Sequence, residues 1–194
     1  MINLLMFLVL IAFQNQPDSL ISKMQKKFES IKTLKADFVQ TTNNINLMEG
    51  KFYFSQKENY RIELQNNTLI SNGSTIWNID NKRNKVIISN VEDDPLAFSL
   101  NEYIYEYPKK CKITILNVDN DNNLIVLDSD GSNLNFKLAK LWVNKDYLIN
   151  KILFEDFSGG EYEFSFSNIK LNVNLDSEIF VYKEFKDYKT IDLR

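Results

Sequence analysis

The chain has 194 residues, a formal net charge of -3 with acids and bases interspersed, and no histidine. That balance offers nucleic acid no basic stripe against which counterions could be released, so DNA and RNA are excluded as partners. The lack of histidine removes the usual proton shuttle near neutral pH and the commonest metal ligand, which argues against an enzyme.

The length suits one sizeable core, and no linker-like composition divides it. Met1 to Phe13, MINLLMFLVLIAF, is apolar apart from Asn3. It is too short to span a membrane and fits the hydrophobic region of a signal peptide, although no Lys or Arg precedes it and AFQNQ holds no small-x-small cleavage site; an uncleaved anchor and a buried first strand are the alternatives. The expected division is a signal peptide over residues 1–16 and a single domain over 17–194, periplasmic and soluble after cleavage. No Cys follows the run, so the mature amino terminus is not lipidated. Cys111 stands alone without an internal disulfide partner and reads as a small buried hydrophobe.

Pro17, Asp18 and Ser19 supply helix-start chemistry, and Leu20, Met24, Phe28 and Ile31 fall on one face at spacings of four, four and three. Leu34, Ala36 and Phe38 then switch to period two and open a strand that reaches about Gln40. Across a polar turn at Asn43 and Asn44, Gly50 to Asp80 alternates throughout: Phe52 and Phe54, then Tyr60, Ile62 and Leu64, then Trp77 and Ile79. Gln56 to Asn59, Gln65 to Asn67 and Asn72-Gly73 break the runs where hairpins reverse. This is an antiparallel meander with one wet face and one aromatic face. Val86 to Ser89 adds a strand.

At Asp93-Asp94-Pro95 the pattern becomes helical, with Leu96, Leu100, Ile104 and Tyr107 on one stripe and Pro108 closing it. Lys112 to Val118, Leu124 to Asp128, Asn135 to Val143, Tyr147 to Glu155 and Tyr162 to Leu171 follow as strands between Asn, Asp and Gly turns. About eleven strands in a mainly β, α+β chain curl or close rather than stay flat.

Asp119 to Asn123 imitates the start of a calcium loop, but Leu124 occupies the position that needs Gly and Asp130 the one that needs Glu, so a solvated turn is the better reading. Asn66-Asn67-Thr68 and Asn72-Gly73-Ser74 match glycosylation acceptors and are assigned nothing. No nucleophile elbow, phosphate loop or zinc spacing occurs, so catalytic residues, metals and cofactors are all expected to be none. What stands out is apolar excess, with 14 Phe and 9 Tyr. Such strands serve either a packed core or a half-closed sheet with an apolar ligand cavity, and pattern alone barely favours the second.

Spaced positions from Leu20 onward carry a resemblance. They are Leu34, Ala36, Phe38 and Gln40; Gly50-Lys51-Phe52-Tyr53-Phe54; Tyr60-Arg61-Ile62-Glu63; Ile70, Asn72-Gly73 and Ile76-Trp77; and Pro95-Leu96. Later come Trp142, Leu148-Ile149, Ile152, Asp156 to Gly160, Phe164, Phe166, Ile169, Leu175-Asp176, Phe180 and Thr190-Ile191-Asp192. In their order and spacing the chain resembles the periplasmic outer-membrane lipoprotein carrier (LolA) family.

The resemblance implies an incomplete antiparallel β-barrel with amphipathic helices covering its opening, and a cavity that receives the acyl chains of lipoproteins. It also implies a monomer that takes lipoproteins from an inner-membrane ABC transporter to an outer-membrane acceptor. On that reading the cavity wall is Phe38, Phe52, Phe54, Tyr60, Ile62, Leu64, Trp77, Ile79, Phe164 and Phe166, and the lid is Leu96, Leu100, Ile104 and Tyr107. Two positions depart from the family: Gln56-Lys57 stands where many members have Arg-Pro, and Val181-Tyr182-Lys183 replaces a proline-rich ending. An envelope sensor and a lipocalin-like binder of a small apolar molecule are the alternatives.

Overall fold

A computed structural model describes residues 17–43, 45–56, 58–93, 99–119 and 121–194. The Met1 to Phe13 run, Pro95 and Leu96 lie outside the described residues. The elements in chain order are α1 (Pro17–Glu29), β1 (Thr33–Thr42), β2 (Ile45–Ser55), β3 (Asn59–Leu64), β4 (Asn67–Ser71), β5 (Thr75–Asp80) and β6 (Lys85–Asn90). After a 3-10 turn at Val91–Asp93 and a π-helix at Glu102–Glu106 come α2 (Tyr107–Lys110), β7 (Lys112–Asn117) and β8 (Asn122–Asp128). The chain continues with β9 (Leu138–Asn144), β10 (Ile149–Glu155), β11 (Glu161–Leu171), a 3-10 turn at Ser177–Phe180 and β12 (Lys189–Asp192).

All the strands form one sheet in the order β12-β6-β5-β4-β3-β2-β1-β11-β10-β9-β8-β7. It is open, because β12 and β7 are its two ends rather than neighbours. The described chain has twelve strands rather than about eleven. The twelfth is the short C-terminal β12, which pairs parallel to β6 and makes the sheet not wholly antiparallel. Four residues with Lys189, Thr190 and Asp192 exposed carry too little alternation to read as a strand beforehand.

Alternation sets the faces elsewhere. Along β1 every second residue is buried, namely Leu34, Ala36, Phe38 and Gln40, and the register places Leu34 opposite Phe54 and Ala36 opposite Phe52. The inner face defined in this way meets the helices: Ile21 and Met24 of α1, with Tyr103 and Ile104 of the π-helix, join Phe38, Phe52, Phe54, Tyr60, Ile62 and Phe166 in one buried cluster.

The interrupting helix does not end at Pro108. The Tyr107 N–H bonds five residues back to the Glu102 carbonyl, and Pro108 then sits in the first turn of α2, where a missing N–H costs nothing. Helical structure therefore continues to Lys110.

Candidate functional site

The inner face carries a run of rings that passes from strand to strand. Ring centroids are 5.3 Å apart for Phe52 and Phe166, 5.8 Å for Phe166 and Phe38, and 6.1 Å for Phe38 and Phe164. The run goes on from Phe164 to Phe154 at 5.9 Å and from Phe154 to Tyr162 at 4.8 Å. Pairing makes it continuous, since Phe38 lies opposite Phe166 across β1 and β11, and Phe154 opposite Tyr162 across β10 and β11. Phe52, Phe38 and Phe166 are buried, whereas Phe164, Phe154 and Tyr162 are only half-buried. One part of the run is thus covered and the other is open to water. Phe157 in the adjoining β10–β11 turn is 67% exposed.

Helix side chains pack with the buried part of this face. Phe28 of α1 meets Phe54 at 5.3 Å and Tyr105 at 6.1 Å, while Tyr107 packs edge-on against Tyr103 and Phe136, each at 5.0 Å. Burial holds the Tyr103 and Tyr107 hydroxyls well above the usual phenol range, with the nearby Glu102 carboxylate adding to it. The Tyr107 hydroxyl donates to Glu102 Oε2 at 2.9 Å. Both phenols therefore stay neutral and serve as packing and hydrogen-bonding groups. The Cys111 thiol is likewise pushed up, by burial first and the Asp128 charge second, so it is no thiolate nucleophile at neutral pH. Among the described residues no group of three or more Cys, Asp or Glu could hold a metal ion.

Little space remains under this cover. One cavity of about 20 Å³ lies between Phe52, Phe54, Tyr60, Val91 and Leu100. Another of about 10 Å³ lies between Phe38, Gln40, Met48, Ile62, Leu64, Leu69 and Phe164. Either takes about one water, and an organic ligand needs several hundred Å³. A larger space lies outside, in an open cleft of about 840 Å³ where β2 and the β3–β4 turn part. There β2 runs past its partner, because β3 covers it only from Gly50 to Ser55. The strands separate beside Gly50, where a Cβ would stand 1.9 Å from the Glu63 carbonyl oxygen, so only glycine permits the approach.

Of the expected wall, Phe38, Phe52, Phe54, Tyr60, Ile62 and Phe166 are in the inner buried cluster, and Leu64 and Phe164 pack against it. Trp77 and Ile79 do not join them. Register carries Phe52 through Ile62 and Leu69 to Asn78, which turns Trp77 and Ile79 to the outer face. There Ile79 is buried with Ile70, Val86 and Ile88, and Trp77 stacks on Tyr182 at 5.6 Å. β4 holds Leu69 and Ile70 side by side, one for each face, because the C-terminal segment covers the outer face at this edge. Alternation gives no direction across a strand that is buried on both sides.

Of the expected lid, Ile104 is buried, Leu100 borders the cavity at Phe54, and Tyr107 contacts Phe136. Leu96 lies outside the described residues. The expected wall also omits Met48, Leu69, Ile76 and Gln40, all on the inner side. Gln40 had a readable signal, since it shares the parity of Leu34, Ala36 and Phe38 and is polar.

Residues 29–183 match the family model described as outer membrane lipoprotein carrier protein LolA. Among solved structures, an uncharacterized conserved protein of Thermus thermophilus is similar at 14% identity and a TM-score of 0.60, covering 90% of this chain and 98% of that one. A DUF1329 family protein of Desulfovibrio piger follows at 14% identity and a TM-score of 0.52, covering 84% of this chain and 95% of that one. A LolA superfamily protein of Nitrosomonas europaea aligns at 13% identity and a TM-score of 0.47, over 85% of this chain and 97% of that one. No curated protein sequence matches.

Proposed function

The chain belongs to the outer membrane lipoprotein carrier (LolA) family, and from that premise we propose that it binds the acyl chains of lipoproteins on the inner aromatic face and carries them between membranes. The observation that supports this most is the half-covered ring run, buried at Phe52, Phe166 and Phe38 in the cluster that the helices join and half-buried at Phe154 and Tyr162. In this state the interior is closed, so loading has to displace helix side chains and put acyl chains in their place.

The two sides of that exchange are of similar size. One long acyl chain gains on the order of 12 kcal/mol when buried, at about 0.8 kcal/mol per methylene. The helix side chains that leave the inner face, Ile21, Met24, Tyr103 and Ile104, are each worth about 1.5–3 kcal/mol, together about 6–12 kcal/mol. The displaced side chains thus offset most of the gain from one acyl chain, and the further chains of a diacyl or triacyl cargo supply the surplus, which stays usable because the cargo passes from one apolar site to another rather than into water. On this reading the Met1 to Phe13 run directs export, the site of action is the periplasm, and an inner-membrane transporter and an outer-membrane acceptor are the partners. Among the described residues no helix is long and apolar enough to cross a membrane.

Native mass spectrometry of the protein purified from the periplasm tests the proposal. Retained diacyl or triacyl species are expected. A bound small molecule of another class, or uniformly empty protein after expression with abundant lipoprotein, would replace the carrier reading.

A further inference from the structure

Strand β2 runs from Ile45 to Ser55, and β1 pairs with it from end to end apart from one register shift between Asn46 and Met48. On its other side β3 pairs only with Gly50 to Ser55. Among the described residues, Ile45–Glu49 therefore have a strand on one side and none on the other. This is an edge within the order of the sheet rather than at one of its ends. The cleft of about 840 Å³ is the notch that β3 leaves beside it.

Sheets blunt such edges with brevity or charge, because unpaired backbone groups invite another strand. Short β12 exposes Lys189, Thr190 and Asp192, and β7 exposes Lys112, Thr114 and Asn117 beside Leu116. The free stretch of β2 is less guarded. Ile45 is 66% exposed and Leu47 55%, and Glu49 is its one charge. An edge of this kind accepts an extended chain that offers its own backbone.

The place of the edge indicates which chain that is. It ends at Gly50, which lies opposite Phe38 in the register. Phe38 belongs to the buried ring cluster and also lines the cleft, as does Leu64, which packs against that cluster. A cargo whose hydrocarbon lies on these rings brings its polypeptide out beside Gly50. We infer that Ile45–Glu49 take up this polypeptide as an added strand, recognised by its backbone rather than by its sequence. The inference rests on the acyl-binding reading above and adds a peptide-binding edge to the same site. With the acyl group at the cargo's amino terminus, the peptide leaves Gly50 toward Ile45, against the direction of β2, so the added ladder is antiparallel. A second copy of this chain fits the edge less well. Two copies would share a ladder of about 17 Å, a small contact beside the about 1,200 Å² that a stable dimer buries. A peptide already held through its acyl chains closes the same ladder at an effective concentration on the order of millimolar, where a weak contact suffices.

The test uses the protein purified from the periplasm and two lipopeptides with the same diacylated amino-terminal residue and the same side chains, one of them N-methylated along its backbone. Each displaces a fluorescent fatty acid, and amide hydrogen exchange is followed alongside. Wild type is expected to prefer the unmethylated lipopeptide by about fivefold or more, the scale of one or two hydrogen bonds. Amides within Asn46–Glu49 are expected to exchange more slowly with that lipopeptide bound, and not with fatty acid alone. Equal affinity for the two lipopeptides overturns this inference and leaves the carrier reading standing. A preference without slowed exchange at Asn46–Glu49 also overturns it, since the peptide then pairs elsewhere. Slowed exchange there in the protein alone, growing with its concentration, gives the edge to a second copy and overturns it too. Failure to bind either lipopeptide overturns both readings.

Discussion

The side-chain amide of Gln25 donates to the carbonyl oxygen of Ile104 at 3.0 Å, and the Tyr105 hydroxyl donates back to the Gln25 carbonyl at 3.2 Å. Two helical segments 79 residues apart in sequence are thereby fastened to each other as well as to the sheet. Lifting one from Phe54 would pull on the other, so the two segments are expected to move together.

Breaking this fastening should free the cover without emptying the core. Gln25→Ala combined with Tyr105→Phe removes both hydrogen bonds and keeps the ring that faces Phe28. The expected result is a folded protein with a stability loss of about 1–3 kcal/mol and clearly raised binding of an environment-sensitive apolar dye. Denaturant midpoint and dye binding measured on one preparation decide it. A large fall in midpoint with no gain in dye binding makes the helices ordinary core elements.

Leu100 and Ile104 share the helical stripe but differ in burial, and their variants should separate accordingly. Ile104 is 3% exposed, so Ile104→Ser leaves a void with a hydroxyl in it and is expected to cost about 3 kcal/mol or more. Leu100 is half-buried at the edge of the cavity near Phe54, so Leu100→Ser should cost less and loosen the closure. Chemical denaturation of the two single variants gives the comparison, and equal losses would mean that the stripe is packed uniformly rather than graded toward a mouth.

Much of this architecture is legible in the sequence, and the parts that are not share a cause. Where one face is wet, as along β1 and from Lys51 to Glu63, period-two alternation identifies both strand and face. Around Leu69-Ile70 and Ile76-Trp77 both faces are covered, the alternation vanishes, and Trp77 is read onto the wrong side. The strand β12 is held by parallel pairing to β6 and not by a hydrophobic pattern of its own. Pro108 reads as a helix stop because an α-helix is assumed, whereas the π-winding before it places the proline at a helix start. Gln40 is visible as a polar residue in an inward register, but that it ends up buried beside Phe38 and Phe164 is a property of the packed face and cannot be read from spacing.

Acid should act on the β10–β11 turn, which carries the exposed Phe157. Asp156 Oδ1 accepts from the Ser158 N–H and the Gly160 N–H, each at 2.8 Å, and from the Ser158 hydroxyl at 2.6 Å. The Ser158 side-chain hydrogen bond first, and the Gly160 backbone bond next, hold the Asp156 carboxyl below its ordinary value of 3.8. A carboxyl with a folded-state pKa below its unfolded one contributes stability above the unfolded value and loses it as pH falls through the folded value. The turn's share is therefore fully present at neutral pH and fades below about pH 4. Asp156→Asn keeps an acceptor and removes the titration, so its loss of stability toward low pH should be shallower than that of wild type. Thermal melts of both proteins from neutral to acid pH show it, and parallel curves would place the acid sensitivity elsewhere.

The two sheet faces make opposite demands on a single aromatic residue, and this gives the sharpest test of where the ligand lies. Phe54 is too deeply buried for a clean trial, since at 6% exposure an aspartate there puts an unpaired charge into the core and threatens the fold itself. Phe164 is half-buried, borders the small cavity beside Gln40 and continues the ring run from Phe38 to Phe154. Phe164→Asp should leave a folded protein, because the charge can reach water from that position. It should also weaken a fluorescent fatty acid by about tenfold or more, equivalent to about 1.4 kcal/mol of lost contact and charge desolvation. Trp77→Ala removes a larger ring from the outer face, where Tyr182 stacks on it. Its expected cost is about 3 kcal/mol in stability, through a loosened C-terminal segment, with fatty acid affinity unchanged within about twofold. Titrations of the two variants under conditions where both are fully folded settle the side. Should Trp77→Ala lower the affinity as much as Phe164→Asp does, the ligand would not be confined to the inner face, and the helices would not be its cover.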